Sequence, residues 1–164
     1  MNYTEIIEQD VVNGTGIRVA LFVAGCDHRC KGCFNKLSQS YKVGKLFTIE
    51  DEERLIQALN KPYIDGLSIL GGDPLANGNV NDIYNLLRRI KHRLPNKTVW
   101  LWTGDTLDQI QLSSKKKAIV DNYVDYLVDG EFVEELKDLK LSFRGSSNQK
   151  IYHKGVDVTD QFTV

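Results

Sequence analysis

Runs of apolar residues alternate with amphipathic helical patterns along most of this chain, and that rhythm restricts the fold more than any other feature. Residues 17–24 (IRVALFVA) are near-continuously apolar, as in a strand buried on both faces. Asn13-Gly14-Thr15-Gly16 supplies the turn before it. Thr48 begins a helix, with Asp51 three residues on in a capping-box position and Leu55, Ile56 and Leu59 on the apolar face. Residues 67–70 form a short strand that ends in Gly71-Gly72-Asp73-Pro74. Val80, Ile83, Leu87, Ile90 and Leu94 then recur at 3-4-3-4 spacing, the clearest amphipathic helix in the chain, and Pro95 and Asn96 stop it. A third strand at 98–103, a weaker helical stretch at 106–122, a fourth strand at 124–128, a short helix near 131–136 and a strand near 150–152 follow.

Strands separated by helices of this length imply βαβ units and a parallel sheet. A closed eight-unit barrel needs roughly 250 residues. The chain has 164, so the expectation is an open, partial (β/α) barrel with a mostly parallel sheet, built as one domain over residues 1–164. The tail, 154–164, is read as a candidate for disorder. In open α/β sheets ligands bind beyond the carboxyl ends of the strands. The loops after the first and second strands both fall on that edge.

The first of those loops, about residues 25–43, carries the only three cysteines of the chain: Cys26, Cys30 and Cys33, spaced C-x3-C-x2-C. So long a loop inside a compact domain is usually functional. A hydrophobic content of 41% and a net charge of −1 fit a soluble globular protein without a basic face for nucleic acid. No apolar run approaches the ~20 residues that span a bilayer, and the acidic N-terminus lacks a signal-peptide core. The expected compartment is the cytoplasm, where thiols stay reduced and clustered cysteines bind metal. Two metal readings follow. Zinc wants four tetrahedral ligands, and His28, His92 or His153 could complete the set in a non-catalytic module. Iron–sulfur clusters are usually held by four thiolates, so three would leave one iron open for chemistry.

Other motifs carry blander readings. Trp100 and Trp102 alternate on one strand and face the same side, most simply as core. Lys115-Lys116-Lys117 reads as a solvated helix face. Residues 144–149 (RGSSNQ) read as a surface loop or, alternatively, a docking or ligand contact.

The cysteine spacing resembles that of radical S-adenosylmethionine enzymes. Longer blocks resemble one family among them, the activating proteins of the anaerobic (class III) ribonucleoside-triphosphate reductase. They are residues 10–14 (DVVNG), 21–26 (LFVAGC), 30–36 (CKGCFNK), 71–75 (GGDPL), 100–104 (WLWTG), 127–130 (LVDG) and 143–149 (FRGSSNQ), in order over about residues 1–153. The resemblance implies a [4Fe-4S] cluster on Cys26, Cys30 and Cys33, whose open iron chelates S-adenosylmethionine. It implies that Gly71, Gly72 and Asp73 position that cosubstrate, with Asp73 where a glutamate is commoner. It also implies an adenine contact from Gly32, Cys33 and Phe34, because Gly32 stands where most of the superfamily has an aromatic. No catalytic side chain beyond the cluster is implied. The implied chemistry uses an electron from a flavodoxin-type donor. S-adenosylmethionine is cleaved to methionine and a 5′-deoxyadenosyl radical, which takes a hydrogen from a backbone glycine of the reductase large subunit, the partner in a hetero-oligomer. An activase of another glycyl-radical enzyme, of formate-lyase type, is the nearest alternative. The half-open architecture fits a macromolecular substrate that supplies the missing wall.

Overall fold

The computed structural model describes residues 1–34 and 36–162. Asn35, inside the cluster-loop motif, and residues 163–164, in the tail, lie outside the described residues. One open eight-stranded sheet organises the chain: β1 (Asn2–Asp10), β2 (Arg18–Val23), β3 (Lys45–Leu46), β4 (Gly66–Gly71), β5 (Thr98–Trp102), β6 (Tyr126–Asp129), β7 (Lys150–His153) and β8 (Val156–Asp157). The spatial order is β3-β1-β2-β4-β5-β6-β7-β8. Among the described residues, only the central pairings β2–β4, β4–β5 and β5–β6 are parallel. The flanking pairings, β1 with β2 and β3, and β7 with β6 and β8, are antiparallel. The expected mostly parallel sheet is thus corrected to a parallel centre with antiparallel wings. The physical reason is β1. Its sequence is acidic and half-exposed rather than apolar, so it lacks the signature of a buried strand.

Four helices pack on one face: α1 (Ile49–Leu59), α2 (Val80–Arg93), α3 (Leu107–Gln111) and α4 (Ser114–Tyr123). Thr48 and Asp51 cap α1 reciprocally, as their spacing predicts. Ile83, Leu86, Leu87 and Ile90 are the buried stripe of α2. The stretch 106–122 divides into two helices because Thr106 and Ser113 each cap a new start. The short helix expected near 131–136 is a single 3-10 turn, Glu134–Leu136. Odd-numbered residues of β2 and β5 (Val19, Leu21, Val23, Val99, Leu101) join the helices in the main core.

The opposite face carries a smaller aromatic core. Trp100 is fully buried there, stacked 4.6 Å from Tyr126 and edge-on to Phe143 and Phe162. The tail contributes to this face: β8 pairs with β7, and the 3-10 turn Thr159–Phe162 brings Phe162 onto Trp100. Core packing, expected for both tryptophans, holds for Trp100; Trp102 at the strand end is only half-buried.

Two buried charges fix the amino-terminal edge of the sheet. Arg18, 1% exposed, donates to Ser68 Oγ, Thr98 Oγ1 and the carbonyls of Thr15, Leu67 and Thr98. Asp125 accepts from Lys91 Nζ (2.9 Å) and the Val99 amide (2.7 Å) and pairs with Lys154 (3.1 Å). Burial alone would raise the Asp125 carboxyl, but those donors outweigh it and hold it below its ordinary value. A lowered carboxylate stabilises the fold above its unfolded pKa and loses that contribution as pH falls through its folded one. Lys91→Met should therefore cost about 2 kcal/mol at pH 7, and the cost should fade between pH 4 and lower pH as Asp125 protonates. Urea unfolding at a series of pH values reads this; a pH-independent difference would contradict it.

Candidate functional site

The four parallel strands end level with one another, and the loops that leave them enclose one cavity. In the β2–β4 register Val23 stands opposite Gly71. The Gly72 amide donates to Val23 O (2.8 Å) and the Asp73 amide to Gly25 O (2.7 Å), so the glycine turn is stitched to the base of the cysteine loop. The cavity, 180 Å³, is lined by Cys26, His28, Cys30, Cys33 and Phe34 from the first loop, and by Gly71, Gly72, Trp102, Thr103, Gly104, Gly130, Phe132 and Gln149 among others. A larger hollow of 380 Å³ between α3, α4 and β7 has no cysteine or histidine in its lining, and the chemistry favours the smaller one.

The cysteine loop closes on its own base. The amides of Gly25 and Cys26 donate to Ser38 O (2.7 Å) and Gln39 O (3.1 Å), the latter two within a 3-10 turn at Lys36–Gln39. Tyr41 Oη donates to Asp27 Oδ1 (2.5 Å), whose other oxygen accepts from the Asn77 amide (2.9 Å). Fully buried Asn79 donates through Nδ2 to Ala24 O (2.8 Å) and Asp73 O (3.1 Å), bridging the two loops directly. Across the cavity mouth Phe34 packs on Phe132 at 4.8 Å.

No disulfide joins the three cysteines, and each is half-buried. Burial, reinforced by Asp73, pushes the Cys26 thiol up to about 12, and burial with Glu131 raises that of Cys30. Ligation must therefore displace protons, the usual coupling at thiolate metal sites. Among the described residues, His28, Asp73 and Asp105 place ligand atoms within 4.8 Å of one another. The donor chemistry of the cysteine set, three thiols and backbone glycines on a shared cavity, fits an iron–sulfur cluster. His92 lies in the last turn of α2, and His153 is stacked on Tyr126 with Nδ1 at Asp125 O (2.9 Å), so neither reaches the cysteines.

The structure brings Gly71 and Gly72 to the cavity wall with the cysteines, and Phe34 to its rim. Gly32 packs instead against Glu134 on the loop after β6. Asp73 is turned inward: Oδ1 accepts from the Leu75 amide (2.9 Å), and Oδ2 from Thr103 Oγ1 (3.1 Å) and the Gly104 amide (3.0 Å). Its carboxylate holds the turn and the β5 loop together. Burial raises that carboxyl against the pull of these donors. Of residues 144–149, Gln149 reaches the cavity. Its Oε1 accepts from the amides of Gly145 and Ser146, and its Nε2 donates to Gly130 O. Lys116 leaves the solvated face and pairs with Asp105 at 2.7 Å. Asn79, Asp105 and Glu131 went unmarked in the sequence. The available signal was position, since Asp105 and Glu131 each follow the carboxyl end of a parallel strand within three residues.

Three thiols over the carboxyl edge of this open α/β sheet suit a single iron–sulfur cluster. Residues 12–152 match the family described as "4Fe-4S single cluster domain". The chain is 45% identical to the anaerobic ribonucleoside-triphosphate reductase-activating protein of Escherichia coli K12, over 93% of this chain and 99% of the relative. It is 44% identical to that of Vibrio cholerae (93% and 97%) and 43% identical to that of Enterobacteria phage T4 (93% and 94%). The chain belongs to the family of anaerobic ribonucleoside-triphosphate reductase-activating proteins.

Proposed function

We propose that this protein is a radical S-adenosylmethionine activase that installs the glycyl radical of an anaerobic ribonucleoside-triphosphate reductase, with the whole chain acting as one partial-barrel domain of that superfamily. The observation that carries the reading is the meeting of Cys26, Cys30 and Cys33 with Gly71 and Gly72 on one cavity, in a chain with no fourth cysteine. Cys26, Cys30 and Cys33 would hold a [4Fe-4S] cluster. Bound there, cluster and cosubstrate supply a one-electron reductive cleavage to methionine and 5′-deoxyadenosine, the hydrogen atom coming from a glycine of the reductase large subunit and the electron from a flavodoxin-type donor.

The chain's own residues do the rest. Gly71 and Gly72 let backbone approach the cosubstrate closely. Phe34 and Phe132, packed on each other, give the cavity an apolar rim that sheds water, with Phe34 58% exposed to a partner. Backbone at Gly32–Phe34 would meet the adenine. The exposed rim supports a hetero-oligomer in which the reductase closes the site. Among the described residues no helix is long and apolar enough to cross a membrane, in keeping with work beside a cytoplasmic reductase.

Anaerobic reconstitution tests the proposal. With reductant, S-adenosylmethionine and reductase large subunit, the loaded protein should yield 5′-deoxyadenosine and a glycyl-radical EPR doublet. A fully loaded protein that yields neither overturns it. One zinc and no iron after anaerobic purification would do the same.

A further inference from the structure

His28 lies midway between two cysteines of the loop, and its ring meets three carboxylates. Nε2 is 3.0 Å from Asp105 Oδ1 and 3.5 Å from Asp73 Oδ2; Nδ1 is 3.1 Å from Glu131 Oε2. These carboxylates stand on the loops after β5, β4 and β6 respectively. A carboxylate oxygen thus lies at hydrogen-bonding distance from each ring nitrogen. The ring also lies flat against Gly104, where a Cβ would meet its Cδ2 at 2.5 Å. Glu131 Oε2 in turn accepts from Cys30 Sγ at 3.7 Å. From behind, Lys116 Nζ braces Asp105 at 2.7 Å, and the Gly130 amide donates to Asp105 O at 3.0 Å.

We infer that His28 is a positioning residue, a clasp that ties the cysteine loop to the loops after β5 and β6 and thereby sets the placement of Cys26 and Cys30 around the cluster. The inference rests on the proposed cluster-bearing function and adds a residue to it. A loop of this length, fixed only at its base, would leave its ligands free to drift. The side chain spans the gap with one rigid ring whose two nitrogens face carboxylates on opposite sides. It joins the wall that carries Trp102–Gly104 to the wall that carries Gly130–Phe132, so it also fixes the cavity's width.

The test uses the full chain reconstituted with iron and sulfide under anaerobic conditions, and reads iron release to excess EDTA together with the EPR spectrum of the reduced cluster. Partners that orient metal ligands typically matter by 10–100-fold in metal affinity. His28→Ala should therefore release iron about tenfold faster than wild type or more, with shifted g-values. Glu131→Ala should act in the same direction. The double variant should be no faster than His28→Ala alone, because both remove one connection. Should His28→Ala take up no cluster, Glu131→Ala, changed at an exposed side chain, carries the comparison with wild type. Release rates within twofold of wild type with unchanged g-values overturn the clasp, as do strictly additive effects in the double variant. Failure of wild type itself to load four irons would instead count against the proposed function.

Discussion

Cys30→Ala should fold as wild type does and yet hold no cluster. The side chain is half-buried on a loop, outside both cores, so its loss removes little packing. Under the proposed function, everything the site does depends on it. With Cys26 and Cys33 alone, two irons of a four-iron cluster lack a protein ligand, and the set falls short of what such clusters require. Anaerobic reconstitution should take bound iron and acid-labile sulfide from four of each to none, and both 5′-deoxyadenosine and the glycyl-radical doublet should vanish. Far-ultraviolet circular dichroism and the melting temperature of the iron-free protein should stay at wild-type values. If Cys30→Ala still loads four irons and turns over, the third ligand is some other group, and His28 is the nearest candidate by position. Its two nitrogens, however, face Asp105 and Glu131 at 3.0 and 3.1 Å, and recruiting one would mean breaking that pairing.

What the sequence revealed of this site, and what it concealed, follows from where each kind of information resides. The parallel strands were legible because burial on both faces writes a continuous apolar run, as at 17–24, and α2 because a one-sided helix writes its 3-4 repeat. β1 was not legible. It pairs on both sides yet exposes one face, and its Glu5, Glu8 and Gln9 read as a polar terminus. The two-residue strands β3 and β8 carry too few positions for any period to show. The cysteines were legible as a motif because all three fall within eight residues of the sequence. The carboxylates that meet His28 were not, because Asp105 and Glu131 lie 77 and 103 residues away along the chain, as 105 − 28 and 131 − 28 give, and only the fold brings them together. Asp73 shows a different limit. The motif placed it at the cosubstrate, whereas its carboxylate is turned inward to the amides of Leu75 and Gly104; a sequence pattern marks the loop without stating which atoms face out. Lys116 was misread for the related reason that its neighbours Lys115 and Lys117 do fit a solvent-facing run, while the helical turn points Lys116 alone at Asp105.

Gly72→Ala separates the shape of the site from its ligands, and the expected loss is large although no cysteine changes. Gly71 and Gly72 are glycines for different reasons. Gly71 has φ +115°, a conformation side chains rarely adopt. Gly72 lies outside that region, and its constraint is space: a Cβ would press into the carbonyl oxygen of Gly25 and sit 2.6 Å from that of Ser38. Both obstacles are backbone, so no rotamer change relieves them. Ser38 O already accepts the Gly25 amide at 2.7 Å and Gly25 O the Asp73 amide at 2.7 Å. Relief therefore has to come from moving the cysteine loop away from the glycine turn. Overpacking of this kind costs about 1–3 kcal/mol, which thermal unfolding of the iron-free protein should show. A displacement near 1 Å between reacting groups costs on the order of 100-fold in rate, so formation of 5′-deoxyadenosine by the loaded variant should fall by about that factor. The cluster itself should still load, because Cys26, Cys30 and Cys33 travel together on the displaced loop. Full cluster content with a hundredfold slower cleavage is the signature of a cosubstrate wall that has moved relative to its ligands. Wild-type cleavage in Gly72→Ala would instead mean that the glycine turn does not form that wall and that the cosubstrate sits on another edge of the cavity.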